Sequence, residues 1–402
     1  MSRPFADVWE AVADALPDAT AQVNGDRRFS WAEMDRRADG VAQTLLDAGV
    51  VKQDKVAQYL YNCAEYIESL FGIVKIGCAP VNTNYRYADD ELVYLWDNAD
   101  AVAVVFHGAF TDTIERMRSR VPGVRLWLWV DDGSGPCPDW AMPYEVAAKS
   151  ATARVVAPWG RSADDLYLLY TGGTTGMPKG VMWRQGDLNI MLNAGNALPV
   201  DADFDEIRRI IAAKGPGQVH LPGCPLMHGT GALSSFSAMN AGGCVVTLAG
   251  RHFDADELMS TIEREGVTSL AIVGDAFAKP MLRALDDAPG KYDISSIKLV
   301  VSSGVMWSTE TKDGLLRHHP GMMLSDSLGS SEAIGMGMSM STAAGGSAQT
   351  AKFQLSDRAR VVSEDGRWID AGSGEAGMIA LKGPNPIGYY KDEAKTASTF
   401  KI

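Results

Sequence analysis

Tyr170-Thr171-Gly172-Gly173-Thr174-Thr175-Gly176-Met177-Pro178-Lys179-Gly180-Val181 follows a run, Asp165 to Tyr170, that reads as a strand. Small residues let consecutive backbone N–H groups converge on an anion, hydroxyls add donors, and Lys179 adds a compact positive charge. That is the chemistry of a triphosphate cradle. The plain alternative is a flexible turn with a solvated lysine, but four glycines, three threonines and a Pro-Lys-Gly exit in a dozen residues argue against it. Nor is it a Walker A loop. That motif needs Gly-Lys-Ser/Thr opening a helix, whereas Pro178 precedes this lysine and Gly180 follows it.

Outward from this loop, apolar runs of strand length alternate with helical segments, the signature of an α/β protein. Strands are expected at Lys55 to Tyr61, Ala101 to Phe106, Arg125 to Val130, Cys244 to Ala249, Ser269 to Val273, Lys298 to Ser303 and Met322 to Ser327. The later ones are near-continuously apolar or β-branched, as strands buried on both faces tend to be. Asn24-Gly25 reads as a hairpin turn. Ser30 with Glu33 forms a capping box, opening a helix that carries Met34, Ala38, Val41 and Leu45 on one face and ends near Gly49. After Ser341 to Ser347 short alternating runs such as Met378 to Lys382 suggest a small antiparallel unit. The expected division is a first α/β lobe at 1–160, a second with the phosphate loop at 161–345, and the small β unit at 346–402. The sheets of both lobes should be mixed and largely parallel.

Composition narrows the function. Among 402 residues, 37 basic against 50 acidic side chains leave a formal charge of -13. Phosphate-backbone binding needs a basic surface, so nucleic acid is not an expected partner. Cys63, Cys78, Cys137, Cys224 and Cys244 are odd in number and form no CxxC pair. That usage fits a reducing cytoplasm with buried thiols rather than a disulfide framework or a zinc site. The N-terminus lacks the apolar core of a signal peptide, and no apolar run approaches the ~20 residues of a membrane span. A soluble, cytoplasmic protein is expected.

The order Thr-Gly-Gly-Thr-Thr-Gly-x-Pro-Lys-Gly resembles the signature loop of the adenylate-forming superfamily: acyl-CoA synthetases, luciferases and nonribosomal adenylation domains. Ser is usual where Gly172 stands; the missing hydroxyl costs about 1 kcal/mol. Gly occurs there among fatty-acyl-CoA synthetases, so the departure leans toward them. The resemblance extends along the chain. Pro225-Leu226-Met227-His228-Gly229-Thr230-Gly231 is similar to the family's Pro-x-x-His-x-x-Gly segment bordering the acyl pocket. Ser302 to Met306 stands in place of the loop that presents backbone to adenine. Asp326-Ser327-Leu328-Gly329-Ser330-Ser331-Glu332 resembles the aromatic-Gly-x-Thr-Glu motif, with Leu328 where most relatives have an aromatic ring. Phe71 to Asn82, and Gly374 through Gly388-Tyr389-Tyr390 to Phe400, also follow the family and read as structural.

The resemblance implies an acyl-CoA synthetase N-terminal domain that uses ATP, Mg²⁺ and CoA. Its nucleotide site would comprise Thr171, Gly172, Gly173, Thr174, Thr175, Gly176, Lys179, Ser303, Gly304, Leu328, Gly329, Ser330, Ser331 and Glu332. Lys179, Glu332 and Thr171 would be catalytic, with Glu332 and Thr171 on Mg²⁺. The acyl pocket would lie among His228, Gly229, Gly231, Gly274, Ser303 and Gly304, where glycines leave volume; His228 would be wall or gate, not a base. The combined motifs resemble bacterial ligases that activate steroid side-chain or other bulky acids, with medium- or long-chain fatty acids next. An acyl-AMP ligase feeding a carrier protein would share every motif, and a phosphotransferase or a non-catalytic nucleotide- or acyl-binding protein stays open. The family pattern continues past Phe400 into a ribose-binding Gly-Asp motif and a small C-terminal domain bearing a further lysine. These 402 residues contain neither. They are expected to bind nucleotide but to turn over poorly. A homodimer is the default assembly.

Overall fold

Two large sheets and one two-stranded sheet carry the chain. The computed structural model describes residues 3–173, 176–193, 198–199, 202–345 and 352–400. In the eight-stranded sheet Leu166–Gly173, Ala79–Asn82, Lys55–Tyr59, Ala101–His107, Leu126–Val130 and Met142–Pro143 pair in parallel; Gly176–Arg184 and Gly388–Tyr389 add antiparallel at one edge. The nine-stranded sheet is parallel from Met323–Ser330 through Leu299–Ser303, Ser269–Ile272, Val219–Pro222 and Cys244–Thr247 to Thr20–Asn24. Antiparallel strands close both its edges: Arg27–Ser30 at one, Ala333–Ser341 and Gln354–Leu355 at the other. Ala359–Val362 and Met378–Leu381 form the small antiparallel pair. The α/β class with largely parallel sheets and a small β unit is what the alternation of runs implied.

Each large sheet draws strands from both sides of residue 160. Thr20–Asn24 pairs with Cys244–Thr247, and Ala79–Asn82 pairs with Leu166–Gly173. The stretches 1–160 and 161–345 therefore interleave, because parallel strands need long crossovers and need not be neighbours in the chain. The last stretch also spreads out: Gln354–Leu355 joins one large sheet and Gly388–Tyr389 the other.

Helices Phe5–Ala15, Trp31–Asp47, Ala64–Lys75 and Gly229–Asn240 share a core with residues of both large sheets, such as Val245 and Tyr167. Rings of Phe5, Trp9, Phe71 and Phe236 lie 5.3 to 5.6 Å apart there. Helices Ala255–Glu265, Asp275–Asp287 and Thr309–His318 cover the other face of the nine-stranded sheet; Asp89–Asn98 and Thr111–Met117 cover that of the eight-stranded one. The capping box forms as expected: Glu33 N–H donates to Ser30 Oγ at 3.2 Å, and Ser30 N–H donates to the Glu33 carboxylate at 2.8 Å. Inside the central layer Lys75 is fully buried. Its ammonium meets Glu10 at 3.0 Å and Asp35 and Asp39 at 2.7 Å each, the paired state that a buried charge requires. Four of the five thiols are buried. Among the described residues no helix is long and apolar enough to cross a membrane.

Candidate active site

The described residues of the glycine-rich stretch lie on two antiparallel strands, Leu166–Gly173 and Gly176–Arg184. Antiparallel register sets Thr171 opposite Lys179 and Gly173 opposite Gly176. Between these two pairs the register shifts at Gly172, an irregularity that a residue without a side chain accommodates. Thr171, Gly172, Gly176 and Lys179 thus stand at one sheet end; Thr174 and Thr175 lie outside the described residues.

Trp183, four residues along the returning strand and fully buried, brings the second motif in. Its indole N–H donates to Ser331 O at 2.9 Å. Glu332 N–H donates to Ser330 Oγ at 3.3 Å, folding Ser330, Ser331 and Glu332 into a tight turn against the hairpin. Two further residues complete the group. Tyr389 Oη donates to Glu332 Oε1 at 2.9 Å, and its ring centroid lies 5.8 Å from Lys179 Nζ. Lys179 Nζ donates to Asp392 Oδ2 at 2.7 Å. Partial burial and the Glu332 carboxylate push the Tyr389 phenol up to about 12, so it is a neutral donor. The hydrogen bond from Lys179 holds the Asp392 carboxyl below the usual range. Sequence reasoning read the 388–392 segment as structural and missed both contacts.

Among the described residues no group of three or more His, Cys, Asp or Glu side chains converges as a metal cage. Mg²⁺ is commonly held by one or two carboxylates plus substrate phosphates, so a single half-buried carboxylate at a phosphate-type hairpin fits it. Tyr389 engages only Oε1 of Glu332, which leaves Oε2 for such a bond.

A cavity of about 240 Å³ opens where the strands Leu299–Ser303 and Met323–Ser330 end. Ser303 and Gly304 line one wall, Leu328 and Gly329 another, and Phe353 a third. Ser303 Oγ donates to Ser327 O at 3.1 Å and closes the two motifs on each other. Asp326, also on the wall, is paired with the fully buried Lys312. Phe353 is a ring that no sequence signal announced beside the aliphatic Leu328.

His228 sits just before the helix Gly229–Asn240, and its N–H donates to Pro225 O at 3.1 Å. Its side chain reaches solvent, yet the protein crowding the ring and then the charge of Arg86 push the imidazole below its usual value. It is neutral at pH 7. A Cβ on Gly229 would meet Leu169 at an ordinary contact distance of 3.5 Å. The volume argument does not hold for two other glycines. A Cβ on Gly231 would lie 2.5 Å from Pro225 O, and one on Gly274 2.5 Å from Met306 O. Their small size serves backbone contact. Gly304 alone of the three has room for a Cβ, which would meet Val273 at an ordinary contact distance of 3.8 Å.

With this geometry in place, known proteins supply the comparison. The AMP-binding enzyme family matches residues 9–390. The chain is 37% identical over 415 residues to a medium/long-chain-fatty-acid–CoA/3-oxocholest-4-en-26-oate–CoA ligase of Mycolicibacterium smegmatis, covering 100% of this chain and 74% of that one. It is 36% identical over 416 residues to a 3-oxocholest-4-en-26-oate–CoA ligase of Rhodococcus rhodochrous, covering 100% and 73%. In fold it is similar to an anthranilate CoA ligase in complex with anthranoyl-AMP, with TM-score 0.84 and 21% identity over 100% of this chain and 74% of that one. The N-terminal domain of FACL13 from Mycobacterium tuberculosis gives TM-score 0.79 and 19% identity, over 100% and 94%. The hairpin, the Ser-Ser-Glu turn and the strand-end cavity thus stand in a chain matched almost throughout, and this chain belongs to the AMP-binding enzyme family, as an acid–thiol ligase that uses ATP, Mg²⁺ and CoA.

Proposed function

We propose that this chain activates a medium- or long-chain fatty acid, or a steroid side-chain acid, as its acyl-adenylate for transfer to CoA. The acid class is supported by the names of relatives at 36 to 37% identity. The observation that carries the site assignment is the convergence of Lys179, Ser331 and Glu332 on one hairpin through Trp183 and Tyr389.

An acid of this kind, with a pKa of about 4 to 5 like a Glu side chain, is already ionised at pH 7 and needs no general base. His228 is assigned to the acyl side as wall or gate, with no base role. What the carboxylate needs is relief from repulsion as it approaches the α-phosphate. The Lys179 ammonium, the hairpin-tip N–H groups and the Ser330 and Ser331 hydroxyls are assigned that work. Glu332 and Thr171 would hold Mg²⁺, which when bound draws charge from phosphate oxygens. The oxygen–phosphorus bond to pyrophosphate breaks as the carboxylate bonds phosphorus. The resulting mixed anhydride presents a carbonyl to the CoA thiol, and AMP departs. Ser303, Gly304, Leu328 and Gly329 are assigned to the adenine cavity, with His228, Gly229, Ser303 and Gly304 toward the acyl group. Five free thiols support a cytoplasmic setting, and a homodimer is the assembly we propose.

The test is pyrophosphate release in a single turnover with MgATP and a panel of short, long-chain and steroid acids. Release that depends on the long-chain or steroid acid supports the reading. Nucleotide turnover without acid-dependent pyrophosphate would place the protein among phosphotransferases instead.

A further inference from the structure

We infer that the turn Gly388 to Asp392 sets MgATP affinity in two opposite senses: Tyr389 positions Glu332, and Asp392 competes with phosphate for Lys179. The inference rests on the nucleotide-site reading above. The turn is firmly mounted. Gly388 pairs with Met182 and Tyr389 with Val181, and Tyr390 N–H donates to Gly180 O at 2.8 Å. Tyr390 Oη and Lys391 Nζ each donate to Asp100 at 2.7 Å. The segment is thus strapped to the strand that bears Lys179.

From that mount two side chains reach two different charged groups, Tyr389 reaching Glu332 and Asp392 reaching Lys179. Tyr389 Oη fixes one oxygen of Glu332 and so aims the other. A carboxylate held this way loses less freedom when it binds a cation, as for hydrogen-bonded metal ligands generally. Asp392 acts against the ligand. One of its oxygens accepts from Lys395 N–H at 2.9 Å and caps the helix Glu393–Thr399; the other takes Lys179 at 2.7 Å. A phosphate approaching Lys179 meets a carboxylate already seated there, and the like charges repel. The pair is partly solvent-exposed, with side chains 41% and 32% accessible, so its strength is modest and salt-sensitive.

Two near-isosteric changes separate the senses. Asp392→Asn keeps the capping oxygen and removes the charge; Tyr389→Phe keeps the ring and strand pairing and removes only the hydroxyl. Calorimetric titration of the chain with ATP is run with Mg²⁺ and again with EDTA. Asp392→Asn should tighten MgATP about two- to fivefold, and the gain should shrink as salt rises. Tyr389→Phe should weaken MgATP about tenfold while leaving metal-free ATP unchanged. Variants that weaken binding together, or leave it unmoved, overturn the inference: the turn would then be structural only. A wild-type chain that binds no MgATP overturns the nucleotide-site reading and this inference with it.

Discussion

Asn82 and Tyr170 clasp each other in the core: Asn82 Nδ2 donates to Tyr170 O at 2.8 Å, and Tyr170 N–H donates to Asn82 Oδ1 at 2.7 Å. The second Nδ2 hydrogen goes to Met227 O at 2.7 Å. One buried amide therefore joins the residue before Thr171 to the residue before His228. Asn62 repeats the device nearby, donating to Cys224 O at 3.1 Å and accepting from Leu226 N–H at 2.7 Å. Asn82 thus holds the phosphate hairpin and the segment that enters the helix Gly229–Asn240 together, and Asn62 anchors that second segment again.

Replacing Asn82 with Ala leaves a buried N–H and two carbonyls without their partner. The expected loss is about 2–4 kcal/mol, read by urea unfolding. Because Asn82 holds two segments, affinity for MgATP and for the acid should fall together in the folded fraction. A variant that loses one and keeps the other would show that the hairpin and the His228 segment are not coupled through this amide.

Lys179 and Glu332 make the opposite prediction, because both lie at the hairpin, where they are assigned to phosphate and metal, and neither is among the residues assigned to the acyl group. Lys179→Ala and Glu332→Ala should weaken MgATP about tenfold or more while leaving acid binding nearly unchanged, since each removes a charged partner of phosphate or metal. Calorimetry with nucleotide and acid separately reads the split. Unaltered nucleotide affinity in both would remove the phosphate assignment.

What the residues disclosed in advance, and what they concealed, follows from how local each signal is. Cys244–Thr247, Ser269–Ile272 and Leu299–Ser303 show themselves because each is a short, mostly apolar or β-branched run, as sheet strands between helical layers tend to be. The glycine-rich hairpin and the Ser330-Ser331-Glu332 turn show themselves because their chemistry is contiguous. Asp392 does not: 213 positions separate it from Lys179, and its neighbours mark it only as a helix cap. Phe353 is hidden for the same reason, since no local pattern says that it meets Leu328 across a cavity. Asn82 and Lys75 sit in a stretch that reads only as helix entering strand, although one joins two site segments and the other pairs with three carboxylates in the core. Glycine is ambiguous in itself. The letter says that a side chain is unwelcome, not whether a ligand or a carbonyl occupies its place.

That ambiguity is testable at Gly231 and Gly304. Gly231→Ala sets a Cβ against Pro225 O and should unfold or strongly destabilise the protein, by about 2 kcal/mol or more in urea. Gly304 has φ +88°, but a Cβ there would meet only Val273, at an ordinary 3.8 Å. Gly304→Ala should therefore cost only the left-handed backbone, about 1 kcal/mol, while narrowing the cavity and weakening nucleotide or acid binding. Equal destabilisation at both positions would contradict the difference in surroundings.

His220 supplies the pH prediction. It is buried in the strand Val219–Pro222, with Nδ1 3.1 Å from Ser269 Oγ and Nε2 3.0 Å from Ser234 Oγ. The Ser234 hydroxyl hydrogen is directed to Thr230 O at 2.6 Å, so Nε2–H donates to Ser234 and Nδ1 accepts from Ser269. That arrangement suits the neutral ring, and burial pushes its pKa down to about 4. In the unfolded chain the value is about 6.5. Between these two values the unfolded state binds a proton that the folded state refuses, so ν is larger unfolded and stability rises with pH. The contribution is whole above pH about 6.5 and is lost as pH falls toward about 4, roughly 3 kcal/mol in all. Buried His107, also pushed down to about 4, adds a slope of the same sign. Glu68 opposes them, because burial raises its carboxyl to about 7 and costs stability as pH climbs through that range. The difference between wild type and His220→Gln isolates His220 from both. Urea unfolding of the two proteins from pH 4 to 7 should diverge by about one proton's worth of slope, the variant being the less acid-sensitive. A difference that stays constant across this range would show that His220 carries its proton equally in both states.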